Sequence, residues 1–257
     1  MKNAYYFFSD VHLGMSSKEE EKTKEKILIT FLESIRADAK EIFIVGDLFD
    51  YWIEYKNAVP KGYYKVFAKI SDLIDDGIKI TYLAGNHDFW KGKYFKDEFG
   101  IDINFDPIER TLDSKKFFIH HGDGLAFKDT GYKILKKVLR NPFSQFLYRW
   151  VHPDIGIRLA RKTSKTSRTH THNKDYSSKD GLQEFAKQKL NQGYDFILMG
   201  HRHFPTITKY GEGIYVNLGD WIDNFTYVKF KEGKFEFKKF YNKDTKQYKE
   251  EIIEAVG

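Results

Sequence analysis

Short apolar runs alternate with longer stretches of helical spacing along most of the chain. Each run ends in a cluster of Gly, Asp, Asn or His, which is typical of buried strands. The predicted strands are Ala4–Ser9, Ile42–Val45, Ile78–Ala84, Phe117–His120, Phe196–Met199 and Ile214–Leu218. Helical spacing predicts helices at Lys18–Ala37 and Tyr63–Asp76, the second closed by Gly77 as a helix C-cap. This alternation predicts a layered α/β domain.

The pattern changes after Trp221. Two runs, Phe225–Phe230 and Phe235–Tyr241, flank a Glu-Gly pair and predict a hairpin with Lys on its solvent face. From Asn242 onward the chain is mostly polar, and its role cannot be inferred from the sequence.

The segment from Lys128 to Arg168 differs from the rest in charge. It contains eleven Lys or Arg and two acidic residues, hence a net charge of +9. Its apolar residues recur at helical intervals, interrupted at Pro142 and Pro153. We expect two or three short amphipathic helices inserted at about residues 125–180, within a single domain that spans residues 1–257.

Composition limits the chemistry and the setting. The chain has no cysteine, so any metal must be held by nitrogen and oxygen ligands, and a reducing cytosol fits. The N-terminal residues lack the pattern of a signal peptide, and no uncharged stretch is long enough to span a membrane, so neither export nor spanning is expected. A net charge of +6 favours anionic partners such as nucleotides, nucleic acid or acidic lipid surfaces.

Residues of metal-ligating type follow five successive predicted strands. They are Asp10 and His12, Asp47, Asn86, His121, and His201 and His203. The first two alone fit equally well an Asp that caps a turn beside an incidental His. Repetition at five strand ends favours metal binding, because open α/β sheets gather their ligands outside the carboxyl ends of the strands.

Counting the ligands predicts two ions. Seven side chains exceed what one tetrahedral zinc accepts, and they include too many nitrogens for calcium or magnesium alone. Asp47 is the natural bridging carboxylate. Two cations about 3.5–4 Å apart would activate a water between them as the nucleophile.

The motifs Asp-x-His, Gly-Asp, Gly-Asn-His-Asp, His-Gly-Asp and Gly-His-x-His, in this order, resemble those of the calcineurin-like metallophosphoesterases. The resemblance covers Tyr5 to Asp220. It implies a four-layer sandwich of helices around two packed sheets, and two divalent metal ions, usually Mn²⁺, with iron or zinc as alternatives. It assigns Asp10, His12, Asp47 and His203 to one metal, and Asp47, Asn86, His121 and His201 to the other. His87 would be the general acid or a phosphate contact.

Within that superfamily, Gly46–Trp52 and the basic insertion most resemble the bacterial UDP-2,3-diacylglucosamine pyrophosphatases of lipid A biosynthesis. The resemblance implies release of UMP and 2,3-diacylglucosamine 1-phosphate, and an insertion that forms a lid enclosing acyl chains. A lid that packs on the core and binds no lipid is the alternative. The implied substrate contacts are Asn86, His87, Asp129, Arg161, Ser164 and Lys165. Many members carry Arg after the metal-binding Asn, whereas this chain has His87, which leaves room for another leaving group.

The implied partners are a UDP-linked acylated sugar and an anionic membrane surface, and the implied location is the cytoplasmic face of the inner membrane. A phosphodiesterase acting on another nucleotide or phosphoester is the alternative function. No nucleic-acid partner is expected, because the basic residues of the insertion are interleaved with an apolar face. A scaffold without catalysis is disfavoured by the complete ligand set.

Neighbouring polar residues have simpler interpretations. His120 is expected to be a core histidine, and His152, His170 and His172 are expected to be exposed. Asp88 and Asp123 either orient metal ligands or cap loops.

Overall fold

The computed structural model describes residues 1–125, 137–172 and 181–256, except for the side chains of residues 165–172. Its strands form two sheets. In spatial order, the seven-stranded sheet contains β12 (Gln247–Val256), β11 (Lys234–Asn242), β10 (Thr226–Lys231), β1 (Ala4–Phe8), β2 (Ala39–Val45), β3 (Lys79–Leu83) and β4 (Ile103–Asn104). The five-stranded sheet contains β5 (Ile108–Leu112), β6 (Lys115–His120), β7 (Phe196–Met199), β9 (Gly213–Asn217) and β8 (Thr206–Tyr210). The helices are α1 (Lys18–Ile35), α2 (Tyr64–Asp75), α3 (Tyr94–Phe99), α4 (Pro142–Tyr148), α5 (Pro153–His172) and α6 (Gly181–Leu190).

Strand β1 shows how the sequence produces two layers. Successive side chains of a strand point to opposite faces of its sheet. Tyr5 and Phe7 belong to the core between the two sheets, whereas Tyr6 and Phe8 belong to the core that α1 covers. Because both faces are buried, the strand is apolar throughout and does not alternate with polar residues.

Aromatic rings fill the space between the sheets. Phe7 stacks on Phe43 of the same sheet, with ring centroids 4.5 Å apart, and on Phe117 of the other sheet at 5.8 Å. Phe117 in turn stacks on Phe196 at 4.7 Å, and Phe196 on Phe235 at 4.9 Å. These rings join the two sheets into one core.

Helices cover the outer faces of both sheets. Apolar residues of α1 and α2 pack on the seven-stranded sheet. Helix α6 packs on the five-stranded sheet through residues such as Leu182 and Leu190. The order helix, sheet, sheet, helix confirms the predicted four-layer α/β/β/α sandwich.

The core helices follow their sequence signals closely. Ser17 caps α1 in a reciprocal capping box with Glu20, and the helix ends at Ile35, two residues before the predicted end. Gly77 follows α2 with a φ of 77°, a left-handed conformation that suits glycine, and its N–H donates to the carbonyl of Ile74 at 2.8 Å.

The insertion contains α4 and α5 between β6 and α6. Both helices begin at a proline, Pro142 and Pro153, because proline fits the first turn, where no N–H is needed. Helix α5 has 20 residues, so the expectation of only short helices is wrong for it. Among the described residues of this region, the large exposed apolar side chains are Val138, Leu139, Phe143, Phe146, Leu147, Trp150, Ile155 and Leu159. The boundaries of the domain and of the insertion stay predictions.

Several elements are absent from the sequence prediction. Strand β12 forms the sheet edge in the polar C-terminal segment and pairs antiparallel with β11. Strand β8 pairs antiparallel with β9. Among the described residues, no helix is long and apolar enough to cross a membrane.

Candidate metal centre

The seven predicted ligands converge at the carboxyl ends of five parallel strands. Asp10, Asp47 and Asn86 follow β1, β2 and β3 of one sheet, and His121 and His201 follow β6 and β7 of the other. Candidate ligand atoms of Asp10, His12 and His203 lie within 4.8 Å of one another, as do those of Asp10, Asp47 and His121. The site therefore bridges the two sheets.

One group of donors surrounds Asp10. The Nε2 atoms of His12 and His203 are 3.2 Å apart, and His203 Nε2 is 3.3 Å from Asp10 Oδ1. Within the described part of the chain, the buried Asp10 Oδ1 has no hydrogen-bond partner. The other ring nitrogen of His12 faces a carboxylate, Asp50 Oδ1, at 3.3 Å. A proton on that nitrogen directs the Nε2 lone pair toward Asp10, so these atoms fit a cation.

A second group surrounds Asn86. His121 Nδ1 donates to the carbonyl of Val45 at 3.0 Å, which leaves its Nε2 as a lone-pair donor to a metal. That Nε2 lies 3.3 Å from Asp47 Oδ2 and 3.0 Å from Asn86 Oδ1. His201 Nδ1 is 2.7 Å from the same amide oxygen. Once a divalent cation displaces the proton of His121, these nitrogen and oxygen atoms are close enough to act as its ligands.

The backbone at these positions is strained. Five of the seven predicted ligands have left-handed φ angles between 49° and 72°, and they are Asp10, His12, Asp47, His201 and His203. For a residue other than glycine this conformation costs about 1–2 kcal/mol. Strain of this kind persists where surrounding contacts hold the backbone, commonly at functional sites.

Two glycines allow the ligands to approach one another. A Cβ on Gly85 would lie 2.0 Å from Asp47 Oδ1, and a Cβ on Gly46 would lie 2.4 Å from His121 Nδ1. Neither position has room for a side chain. Glycine at both positions therefore permits the close approach of the backbone to Asp47 and His121.

Charge outweighs burial in the centre of the site. Burial opposes the charged form of His121, but Asp47 and Asp10 overcome it and raise the pKa of its imidazole to about 10. Burial would raise the pKa of Asp47, yet His121 and His87 hold that pKa well below its usual range. At His87 and His201 burial dominates and lowers the pKa of each ring to about 3. Near neutral pH Asp47 is thus ionised and His201 neutral, the forms that bind metals, whereas His121 must lose a proton to bind one.

Asp88 organises the loops that carry Asp47 and Asn86. Its carboxylate accepts hydrogen bonds from the N–H groups of Gly85 at 2.7 Å, Leu48 at 2.8 Å and Asp47 at 3.2 Å. Burial and the charge of Asp47 raise the pKa of Asp88 to about 6. Of the two interpretations of Asp88, the structure favours orientation of the ligands.

His87 lies beside the predicted ligands. Its backbone N–H donates to Asp47 Oδ1 at 2.8 Å, and its Nδ1 donates to the carbonyl of Asp50 at 3.0 Å. Its ring centroid is 4.7 Å from that of His12. The side chain is therefore fixed at the edge of the centre with Nε2 as its remaining polar atom, which suits a contact with substrate.

The structure describes some of the other predicted residues but not all of them. Arg161 on α5 donates to the hydroxyl of Tyr51 at 3.1 Å, so it lies over the loop that follows Asp47. Ser164 is buried on the same helix. Asp129 and the side chains of Lys165, His170 and His172 lie outside the described residues. His120 is buried and His152 exposed, as expected.

Sequence reasoning missed two carboxylates that face ring nitrogens of His12 and His203. Asp220 Oδ2 faces Nδ1 of His203 at 3.7 Å, as Asp50 does for His12. Asp220 follows Gly219 directly after β9, so it repeats the strand-Gly-Asp pattern that marked the ligands themselves. This repeated pattern is the sequence signal from which Asp220 could have been identified.

Known proteins resemble this chain in sequence and fold. The sequence model described as calcineurin-like phosphoesterase matches residues 5–205. A protein from Porphyromonas gingivalis named UDP-2,3-diacylglucosamine hydrolase is 34% identical over 246 residues, covering 89% of this chain and 94% of the relative. A protein of the same name from Haemophilus influenzae is 29% identical over 235 residues, covering 89% and 94%. The solved structure of Vacuolar Protein Sorting 29 from Cryptosporidium parvum has a TM-score of 0.51 at 11% identity and covers 99% of this chain and 98% of that one, which concerns the fold alone.

The matched residues include the seven predicted ligands, and the relatives carry the name that the motifs indicated, so both predicted resemblances are confirmed. The roles of the individual site residues stay predictions. The chain belongs to the calcineurin-like phosphoesterase family, and it is a metal-dependent hydrolase.

Proposed function

We propose that the chain hydrolyses the pyrophosphate of UDP-2,3-diacylglucosamine and releases UMP and 2,3-diacylglucosamine 1-phosphate. The names of its relatives support this substrate. The observation that carries the proposal is the position of the insertion, because a basic segment with exposed apolar residues is attached to the loops that bear predicted ligands. Arg161 contacts Tyr51 in one such loop, and Gln145 Oε1 accepts the N–H of Lys91 in another at 3.2 Å.

The metal ions are proposed to be two Mn²⁺. Asp10, His12, Asp47 and His203 would hold one, and Asp47, Asn86, His121 and His201 would hold the other. When bound, the ions polarise the phosphoryl oxygens and activate water. Water attacks the α-phosphorus in line with the leaving sugar phosphate, and the bond from that phosphorus to the bridging oxygen breaks.

His87 is proposed to contact the reacting phosphate. Its Nδ1 is occupied by the carbonyl of Asp50, so Nε2 is the atom that meets substrate. The negative charge of a bound diphosphate favours the imidazolium, which can donate a hydrogen bond or a proton to the leaving oxygen. Asn86, Asp129, Arg161, Ser164 and Lys165 are proposed to bind the sugar and phosphates.

The insertion is proposed to meet acyl chains and an anionic membrane surface at the cytoplasmic face of the inner membrane. Phe143 is 67% exposed and Trp150 79% exposed. With the surplus of positive charge in this segment, these side chains suit an interface between water and anionic lipid.

The test is hydrolysis of UDP-2,3-diacylglucosamine in the presence of Mn²⁺, with bis-p-nitrophenyl phosphate assayed in parallel and Asp47→Ala as the control. Metal-dependent release of UMP that the substitution abolishes is the expected result. Turnover of the generic diester alone would overturn the lipid substrate but retain the hydrolase. Turnover by the chelator-treated protein would overturn the proposed metal mechanism.

A second candidate is a phosphodiesterase acting on another nucleotide or phosphoester. It is favoured by His87, which stands where many of the lipid-specific enzymes are expected to carry Arg. The same pair of assays separates the two functions, because only the second function predicts a preference for the generic diester.

A further inference from the structure

Arg140 connects the insertion to two loops of the metal centre. Its Nη2 donates to the carbonyl of Gly85 at 2.8 Å and to Asp123 Oδ2 at 3.2 Å, and its Nη1 donates to the carbonyl of Phe105 at 3.4 Å. The Arg140 side chain is 13% exposed and that of Asp123 is fully buried. A guanidinium is suited to this role, because its planar fork has several donors in fixed directions.

The two contacted loops carry ligands proposed for the same ion. Gly85 immediately precedes Asn86, and Asp123 lies two residues after His121. Asn86 Oδ1 and His121 Nε2 are 3.0 Å apart. Arg140 therefore links the backbone next to Asn86 with the Asp123 side chain near His121.

Gly85 packs tightly against the loop that carries Asp47. There is no space between the Gly85 Cα and Asp47, since an added Cβ would come within 2.0 Å of Asp47 Oδ1. Gly46, which precedes Asp47, also packs against Gly85, because a Cβ on Gly46 would lie 2.9 Å from the Gly85 Cα. Asp47 keeps its own hydrogen bonds with Asp88 and with the N–H of His87, so a shift of the Gly85 peptide acts mainly on Asn86.

Other contacts of the insertion lie farther along the chain from the ligands. Gln145 and Arg149 reach Lys91, five residues beyond Asn86, and the Arg149 guanidinium lies 5.7 Å from the Trp90 ring centroid. These contacts attach the insertion to the core. Arg149 is exposed and touches neither loop at a ligand, which makes it a matched control for Arg140.

We propose that Arg140 is a positioning residue for the metal ion held by Asn86 and His121, and that it couples the insertion to the assembly of that site. The inference rests on the proposed two-metal centre. It assigns to the insertion a role in metal binding that is independent of the lipid substrate. Loss of the guanidinium releases the Gly85 carbonyl and removes one hydrogen bond from the buried Asp123 carboxylate, so the geometry of the site held by Asn86 and His121 relaxes while that of the other is retained.

The experiment is titration of Mn²⁺ into chelator-treated full-length protein, with bound and free ion measured by electron paramagnetic resonance. Arg140→Met, which keeps much of the aliphatic stem, is compared with the wild type and with Arg149→Met. The wild type is expected to bind two ions. In Arg140→Met one site is expected to keep its affinity and the other to weaken by about 10- to 100-fold, the range typical of groups that orient metal ligands. Arg149→Met is expected to bind both ions as the wild type does.

Hydrolysis of bis-p-nitrophenyl phosphate supplies a second measurement. This substrate has no acyl chains, so its turnover reports on the metal centre and not on lipid binding. Turnover by Arg140→Met is expected to fall, because one metal ion binds less tightly, and to recover at high Mn²⁺ concentration. If Arg140→Met does not fold, Arg140→Lys takes its place, and weakening of one site below the wild-type affinity is again expected.

The outcomes separate the inference from the function on which it rests. Two ions bound by the wild type and with equal affinity by the Arg140 variant would overturn the positioning role and leave the metal centre intact. Equal weakening of both sites, or the same weakening in Arg149→Met, would also overturn it. A wild type that binds no Mn²⁺ would overturn the proposed Mn²⁺ centre, and the inference with it.

Discussion

The Nε2 atoms of His12 and His203 face each other at 3.2 Å, although 191 residues separate them in the chain. On the far side of each ring, Nδ1 faces a carboxylate, Asp50 at 3.3 Å for His12 and Asp220 at 3.7 Å for His203. Each carboxylate favours a proton on Nδ1 and so directs the Nε2 lone pair into the site. The pair is arranged to bind a cation between the rings.

Asp220→Asn tests this arrangement. The amide keeps an oxygen for the N–H groups of Ile222, Asp223 and Asn224, so the turn is retained, but the negative charge facing His203 is lost. We expect Mn²⁺ affinity to fall by about 10- to 100-fold, measured by calorimetric titration. Asp223→Asn, on an exposed residue of the same turn, is the control and should bind as the wild type does. Equal affinities in both variants would contradict the orienting role.

Metal binding is expected to release protons near neutral pH. Against the effect of burial, Asp47 and Asp10 raise the pKa of His121 to about 10, so before a cation binds this ring is charged at pH 7. A metal ligand must be neutral, and binding therefore expels that proton, so affinity should rise as the pH increases toward 10. Calorimetric titration of Mn²⁺ in buffers of different ionisation enthalpy measures the release. His121→Asn should reduce it, and identical heats in all buffers would contradict the assignment.

The left-handed backbone at His203 predicts a difference between two inactive variants. His203→Gly and His203→Ala both remove the ligand, but only Gly adopts a φ of 59° without strain. We expect the Gly variant to be more stable than the Ala variant by about 1 kcal/mol, measured by urea unfolding in the presence of chelator. If the two variants unfold at the same urea concentration, the backbone strain at this position is not significant.

The exposed aromatic residues of the insertion predict membrane binding. Replacing Trp150, which is 79% exposed, by Ser should weaken binding to vesicles of anionic phospholipid by about tenfold, because one large apolar side chain no longer enters the lipid. Sedimentation with vesicles measures this change. Tyr64→Ser, on α2 and 70% exposed, is the control. Hydrolysis of the generic diester should be unchanged in both variants, and equal vesicle binding would contradict the proposed surface.

The elements that carry the ligands are the ones the sequence predicts best. Strands such as β2 and β7 are buried on both faces, so they stand out as apolar runs, and the Gly-Asp or Gly-His that follows each run marks its end. Helix α1 is equally evident, because a capping box begins it. The same local signals placed all seven ligands at one edge.

Elements held mainly by pairing to a neighbour were not predictable. Nearly every residue of β12 is exposed, and the strand is held by its hydrogen bonds to β11, so no periodic apolar pattern indicates it. Strand β8 also lies at a sheet edge, and it is half-exposed along its length. A polar edge strand and a polar loop have similar sequences.

Roles that depend on contacts between distant segments also could not be predicted. Arg140 is one of eleven basic residues in its segment, and its contact with Gly85 spans 55 positions. The contact of Asp50 with His12 depends on how β1 and β2 pair, so no local pattern indicates it. Sequence patterns identify residues by their immediate neighbours, whereas these roles arise from the fold.

The chain has no cysteine, yet its site draws donors from both sheets and from positions as distant as Asp10 and His203. Cations bound by the predicted ligands would act as reversible cross-links between segments that are distant in the chain. Their removal by a chelator should therefore have an effect like reduction of a disulfide, in that the unfolded chain gains freedom and the sheets lose a common anchor. With such a site, the supply of metal ions would govern the persistence of the folded chain as well as its catalysis.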